Sequence, residues 1–285
     1  MSQPLRTFAY ILCLGAVLVK TGYSTDKRPP GAIHAAGAPL LKPGFAFALK
    51  DFASLSGYAI DNEEIGEDRI SLGELRREMR LVNGPSRLRI HLTVSQVGTM
   101  SLADLFTFFE DISQMDPEDR LVEGSTVGLS IGEESRVGAG SSSSNVANEI
   151  AFRRQNIFMT IENKAQGSLN LKPIAEELDA AIQTLPDLTP AQVEALRPNI
   201  TLFSPGSMNL TPGQETTLTL NVTNPTGDPL TTTFLAPNGY IKENPPLTYN
   251  YKAGSKIGTQ TLTVVVSIPS LLFDSETINF TVAEP

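Results

Sequence analysis

The chain has no tryptophan, a single cysteine (Cys13) and two histidines (His34 and His91). Each scarcity excludes some chemistry. The one cysteine lies in the N-terminal apolar stretch, so a chain that loses that stretch has neither a disulfide nor a thiol nucleophile. Two histidines 57 positions apart do not make a histidine-rich zinc site. No Walker loop and no G-x-G-x-x-G occurs. Positive charge is also sparse, with 22 Lys and Arg against 31 Asp and Glu, a net charge of -9. No basic cluster with interleaved aromatics exists, which argues against nucleic acid or an anionic membrane surface as partner.

What is present begins with MSQPLRTFAYILCLGAVLVKTGYS. Arg6 provides a positive start, Phe8–Val19 an apolar run, and Gly22 and Ser24 the small residues that signal peptidase accepts. The run is shorter than the ~20 residues of a membrane span. Residues 1–24 are therefore expected to be a signal peptide, with a retained N-terminal anchor as the other reading. No second spanning stretch follows, so no integral membrane segment is expected after signal removal. Leu12 precedes Cys13 where a lipoprotein needs a small residue. Loss of Arg6 and Lys20 takes the charge from -9 to -11. An exported chain without cysteine fits a bacterium better than an animal ectodomain. Residues 25–44, rich in Pro, Gly and Ala, are expected to be a flexible linker carrying a solvated His34.

Residues 45–197 mix two periods. Ser71 and Glu74 form a capping-box pattern, and Leu72, Leu75, Met79 and Val82 follow at helical spacing. RLRIHLTVS (87–95) alternates cleanly and predicts a half-buried strand with His91 on its polar side. Ser101 and Asp104, then Leu102, Leu105, Phe106, Phe109 and Ile112, predict an amphipathic helix. STVGLSIG (125–132) reads as a strand and GAGSSSSN (138–145) as a loop. Residues 148–163 read as two short strands turning near Arg153–Asn156. Leu171, Ile174, Leu178, Ile182 and Leu185 mark a helix with Pro173 in its first turn, and Thr189-Pro190-Ala191-Gln192 starts a short last one. The sum is an α+β domain.

At Pro198 the helical period stops. TTLTLNVT (216–223), LTTTFLA (230–236), LTYNYKA (247–253), TQTLTVVVSI (259–268) and TINFTV (277–282) are threonine-rich alternating runs separated by turns such as NPTGDP and APNGY. Short strands at this density predict an all-β sandwich. SPGSMNLTPGQETTLTLNVTNPTGDP and YNYKAGSKIGTQTLTVVV resemble bacterial immunoglobulin-like modules, though without the Cys and Trp core of antibody domains. The resemblance implies an immunoglobulin-like β-sandwich over 198–285. The fold class expected is thus an α+β N-terminal domain followed by that sandwich.

GLSIG (128–132) has the G-x-S-x-G spacing of a hydrolase elbow. An elbow needs a strand-to-helix turn at the serine and a histidine later in the chain. Here a loop follows Ser130, and both histidines precede it. In DNEEIGEDR (61–69), Asp61, Glu63 and Gly66 occupy EF-hand positions 1, 3 and 6, but Ile65 and Leu72 stand at positions 5 and 12, so a solvated acidic loop is the simpler account. Arg153 and Arg154 are adjacent and would face opposite sides of a strand. Asn199, Asn209, Asn221 and Asn279 head N-x-T sequons, which threonine-rich strands create readily.

No catalytic, cofactor-binding or metal residue is therefore assigned, and no cofactor. The reading is a non-enzymatic exported bacterial protein with a binding or structural role, cell-surface, periplasmic or secreted, whose partner is a protein or a polysaccharide. The alternative is a secreted hydrolase of polysaccharide or peptide with the sandwich as accessory. N-terminal sequencing of extracytoplasmic protein should begin at Thr25. An intact Met1 on cytosolic protein would contradict the leader.

Overall fold

The computed structural model describes residues 40–66, 70–98, 121–138, 148–165, 169–244 and 248–284. The expected signal peptide, most of the expected linker, the expected helix over 102–112 and all but Gly138 of the serine loop lie outside them. The first part is built on a seven-stranded antiparallel sheet. Its strands are β1 (Ala59–Gly66), β2 (Glu74–Asn83), β3 (Ser86–Ser95), β4 (Leu121–Glu123), β5 (Glu134–Gly138), β6 (Glu149–Arg154) and β7 (Ile157–Asn163), in the order β1-β2-β3-β7-β6-β5-β4.

This corrects the α+β expectation. Among the described residues the only α-helices are α1 (Lys172–Thr184) and α2 (Pro190–Glu194), and the chain is mostly β. The expected helix over 72–82 is strand β2. Leu75 and Met79 fit both periods, because four residues are also two strand repeats. The strand period brings in Leu81 as well, and all three are fully buried. β2 pairs along ten residues with β3 on one side and along most of β1 on the other. Those ladders outweigh the good helix propensity of ELRREMR. Asn83-Gly84-Pro85-Ser86 does not end a helix but turns the β2–β3 hairpin, with Gly84 in the left-handed region at φ 55°. The acidic run at 61–66 is edge strand β1, not a loop.

The expected helices over 171–185 and from Pro190 both form. α1 starts with Pro173 in its first turn and turns Ile174, Leu178 and Ile182 into the core. α2 carries a full capping box between Thr189 and Gln192. The apolar face of the sheet under α1 holds Leu88, Ile90, Leu92 and Val94 of β3 and Ile157, Met159 and Ile161 of β7.

The chain from 40 to 45 is structure rather than linker. Leu41 is fully buried and bridges to Leu188. The side chain of Asn156, in the β6–β7 turn, accepts from the Lys42 N–H at 2.6 Å and donates to the carbonyls of Lys42 and Ser95. Lys42 Nζ reaches Asp187 at 2.8 Å. Composition announced a flexible stretch here; packing against three separate elements orders it.

Residues 199–284 form two four-stranded sheets. One has the order β12 (Gly239–Asn244), β13 (Thr248–Ala253), β10 (Glu215–Thr223), β8 (Asn199–Pro205). The other has the order β11 (Thr231–Leu235), β14 (Gly258–Ser267), β15 (Phe273–Val282), β9 (Asn209–Leu210). β9 runs parallel to β15, and every other pairing is antiparallel. A second core of Ile200, Phe203, Leu218, Tyr251, Leu262, Val264 and Phe280 lies between the sheets.

The β14–β15 hairpin tip does not belong to that second core. Val265, Ile268, Leu271, Leu272 and Phe273 join the first core with Leu41, Phe45 and α1. Gln96 Oε1 accepts from the Phe273 N–H at 2.9 Å, and the Ser270 carbonyl accepts from the Phe45 N–H at 2.9 Å. Gly44, at φ 82°, passes so close that a Cβ there would overlap the Ser270 carbonyl. Leu271 holds a left-handed φ of 65°, unusual for a branched residue and held by the packing around it. Leu272→Ala should thus cost ~2–5 kcal/mol, since it opens a cavity in the first core. Urea unfolding of the full chain should show one transition at a lower midpoint. A loss confined to a separate sandwich transition would contradict the shared packing.

Candidate functional site

Antiparallel pairing puts directly opposed residues on one face of a sheet. The second face of the seven-stranded sheet therefore carries Glu74, Arg76, Glu78 and Arg80 from β2; Arg89, His91, Thr93 and Ser95 from β3; and Phe158, Thr160 and Glu162 from β7. It is a face of alternating charge, yet much of it is buried. Glu74 is 3% exposed, Phe158 2%, Thr160 6% and Glu162 9%.

Burying a carboxylate is costly unless cations and donors surround it. Glu162 meets that demand on two sides. Arg89 donates to both its oxygens, at 3.2 and 2.6 Å, and Lys164 pairs with the same carboxylate. Burial raises the Glu162 pKa, but the bonds from Arg89 and Lys164 outweigh it and hold the group below the usual carboxylate value. Glu78 accepts from Arg80 at 3.0 Å, and its other oxygen lies 3.0 Å from His91 Nε2. Partial burial raises Glu78, and the Arg80 bond with the charges of His91 and Arg89 more than offsets this. Burial pushes the His91 imidazole below its ordinary value; Glu162 and Glu78 pull it back only in part, and Arg89 and Arg76 push it further down. His91 is hence a neutral imidazole among paired charges at pH 7. Its alternating strand and polar face were legible from RLRIHLTVS; its two carboxylate neighbours come from strands 13 and 71 positions away in sequence and were not.

Ser130 lies elsewhere. The strand expected over 125–132 is instead a 3-10 turn (Gly124–Val127) followed by two left-handed glycines, Gly128 at φ 73° and Gly132 at φ 63°. Leu129 and Ile131 are buried, as their alternation implied, and Ser130 is exposed between them. β5, not a helix, follows at Glu134. The glycines serve the backbone: a Cβ at Gly132 would sit 2.5 Å from the Arg153 carbonyl oxygen. The Gly132 N–H also supports Asp179 of α1.

The two arginines part as a strand requires. Arg153 pairs with Glu133 and Glu134, at 2.6 and 2.9 Å. Arg154 turns to the other face and binds Asp179 through Nε at 2.6 Å and Nη2 at 2.9 Å. Burial raises the Asp179 pKa, but the bonds from Arg154, Gly132 and Gln183 hold it below the usual value. Glu63, one of the EF-hand-like positions, pairs with Arg77 at 2.8 Å across the β1–β2 ladder. The four sequon asparagines are all exposed. Among the described residues no helix is long and apolar enough to cross a membrane, and no three metal-binding side chains cluster. No family model and no curated protein matches the chain.

The pKa directions fix the sign of the acid response. His91 resists a proton in the fold, so the unfolded chain takes it up more readily as pH falls through the ordinary value of 6.5, and stability drops. Glu78 and Glu162 have depressed values, so their contribution is present above the unfolded carboxylate pKa and is lost as pH falls through the folded one. All three act in the same direction. Thermal stability should decline from pH 7 into the acid range in two stages, and His91→Gln should remove the first. An unchanged upper stage in that variant would refute the assignment.

Proposed function

We propose that the protein is exported and non-enzymatic, with a binding or structural role at the cell surface or in the periplasm of a bacterium, and with a protein or a polysaccharide as partner. The observation that carries this reading is the engagement of three carboxylates that are buried or half-buried. Glu162 holds Arg89 and Lys164, Glu78 holds Arg80, and Asp179 holds Arg154. General acid–base work needs a carboxyl or imidazole that reaches substrate with a pKa near the working pH. These carboxylates are instead held ionised below their usual range. Ser130, on a glycine turn with both histidines earlier in the chain, supports the same side.

The leader pattern and the lack of cysteine beyond Cys13 support export. The strand order supports an immunoglobulin-like reading of the C-terminal sandwich. With β8, β10, β11, β12, β13, β14 and β15 as strands A to G, the sheets read D-E-B-A and C-F-G, the constant-type arrangement, and β9 is a short second half of the first strand. Such modules serve as spacers or platforms, and the apolar plug at Ile268–Phe273 would make this one a stiff extension.

Protease added to cells whose outer membrane has been opened should degrade the protein while a cytosolic marker survives. A fluorophosphonate applied to the folded chain should leave Ser130 unlabelled. Protection from external protease, with full exposure only after lysis of the inner membrane, would defeat the localisation, and labelled Ser130 would defeat the non-enzymatic reading.

A further inference from the structure

We propose that the outer face of the β12-β13-β10-β8 sheet docks an acidic polysaccharide, a chain of uronic-acid sugars, through Tyr240, Lys242 and Lys252. The inference rests on the binding reading above and names the chemistry of the partner. Among the described residues Tyr240 is the only exposed aromatic, with 51% of it in water. It stands on β12, an edge strand of the sandwich. Pairing sets Tyr240 opposite Lys252 and Lys242 opposite Asn250, while Ile241 and Tyr251 between them turn into the sandwich core. Lys252 Nζ lies 5.6 Å from the centre of the Tyr240 ring. The start of β12 is held in place, since Gly239 runs so near Tyr251 that a Cβ there would sit 2.5 Å from the Tyr251 ring. The face continues along β10 with Glu215, Thr217, Thr219 and Asn221, all exposed and alternating with buried or half-buried Thr216, Leu218 and Leu220.

Charge selects the ligand. The chain as a whole carries 31 acidic residues against 22 basic ones. Around Tyr240 the sign reverses, with Lys242 and Lys252 against Glu215 alone. An ammonium group pairs with a carboxylate, and an aromatic ring takes the apolar C–H side of a sugar ring. A uronic acid offers both in one unit. The Thr217 and Thr219 hydroxyls and the Asn221 amide follow at two-residue spacing, about 6.7 Å a step along the strand. They donate and accept as sugar hydroxyls do, so an extended sugar chain meets partners beyond the lysines. An acidic peptide matches the lysines but brings no such hydroxyls to the row. The protein and the polymer are both anionic overall, so attraction is confined to this patch and salt screens it.

The test is binding of the full chain to immobilised polygalacturonate by biolayer interferometry, with dextran and polyglutamate as comparison surfaces. Saturable binding to polygalacturonate alone is expected, and it should fade as salt is raised. Tyr240→Ala and Lys242→Gln/Lys252→Gln should each raise Kd about tenfold or more. Their Tm should hold, because these side chains lie outside the core. Glu215→Gln removes the one opposing charge and should lower Kd, a gain that damage to the fold cannot imitate. No binding to polygalacturonate, unchanged binding by the lysine and tyrosine variants, or weaker binding by Glu215→Gln overturns the site. Equal binding to polyglutamate or to dextran overturns the acidic-saccharide assignment. New reducing ends in the polygalacturonate would keep the site and overturn the non-enzymatic reading instead.

Discussion

A charge taken out of water must be met by another, and this constraint shapes the first half of the molecule. The central strands of the seven-stranded sheet are enclosed on both sides. One side is ordinary hydrocarbon, Leu88 to Val94 against Ile157 to Ile161. The other is a lattice of arginine and glutamate that is stable only because its members interlock. Remove Arg89 and Glu162 is left a largely buried carboxylate with a single flexible lysine; remove Glu162 and two cations face each other.

The second dependency is mechanical. The sandwich is attached by more than the peptide link near Pro198. Its β14–β15 tip places four apolar residues in the core of the neighbouring sheet and locks them by backbone bonds to Gln96 and Phe45. Residues 40–45 close this joint from outside and tie it to the β6–β7 turn through Asn156. The sheet and the sandwich are in this way held in a constant relation.

Much of this was legible without coordinates. Alternation in RLRIHLTVS and in the threonine-rich strands needs only the two-residue period, and the 3.6-residue stripe of α1 with its early proline needs only local geometry. The Arg153 and Arg154 split follows from the same period. The failures have one cause. ELRREMR has the composition of a helix and a spacing that fits both periods, so local information was degenerate; the partners on either side of β2 resolved it. GLSIG looked like a strand because Leu129 and Ile131 alternate, and the left-handed glycines that break it are visible only as backbone angles.

The sequence by itself determined the periods, the charge balance, the scarcity of reactive side chains and the change of character at Pro198. These are properties of neighbours along the chain, and the chain carries them openly. Tertiary structure alone decided that β2 is a strand, that residues 40–45 are packed, that the hairpin tip at 268–273 serves another core, and that Glu78, His91, Thr160 and Glu162 share a face. Each of those depends on residues far apart in sequence meeting in space, with burial setting the cost of leaving any one of them unpaired.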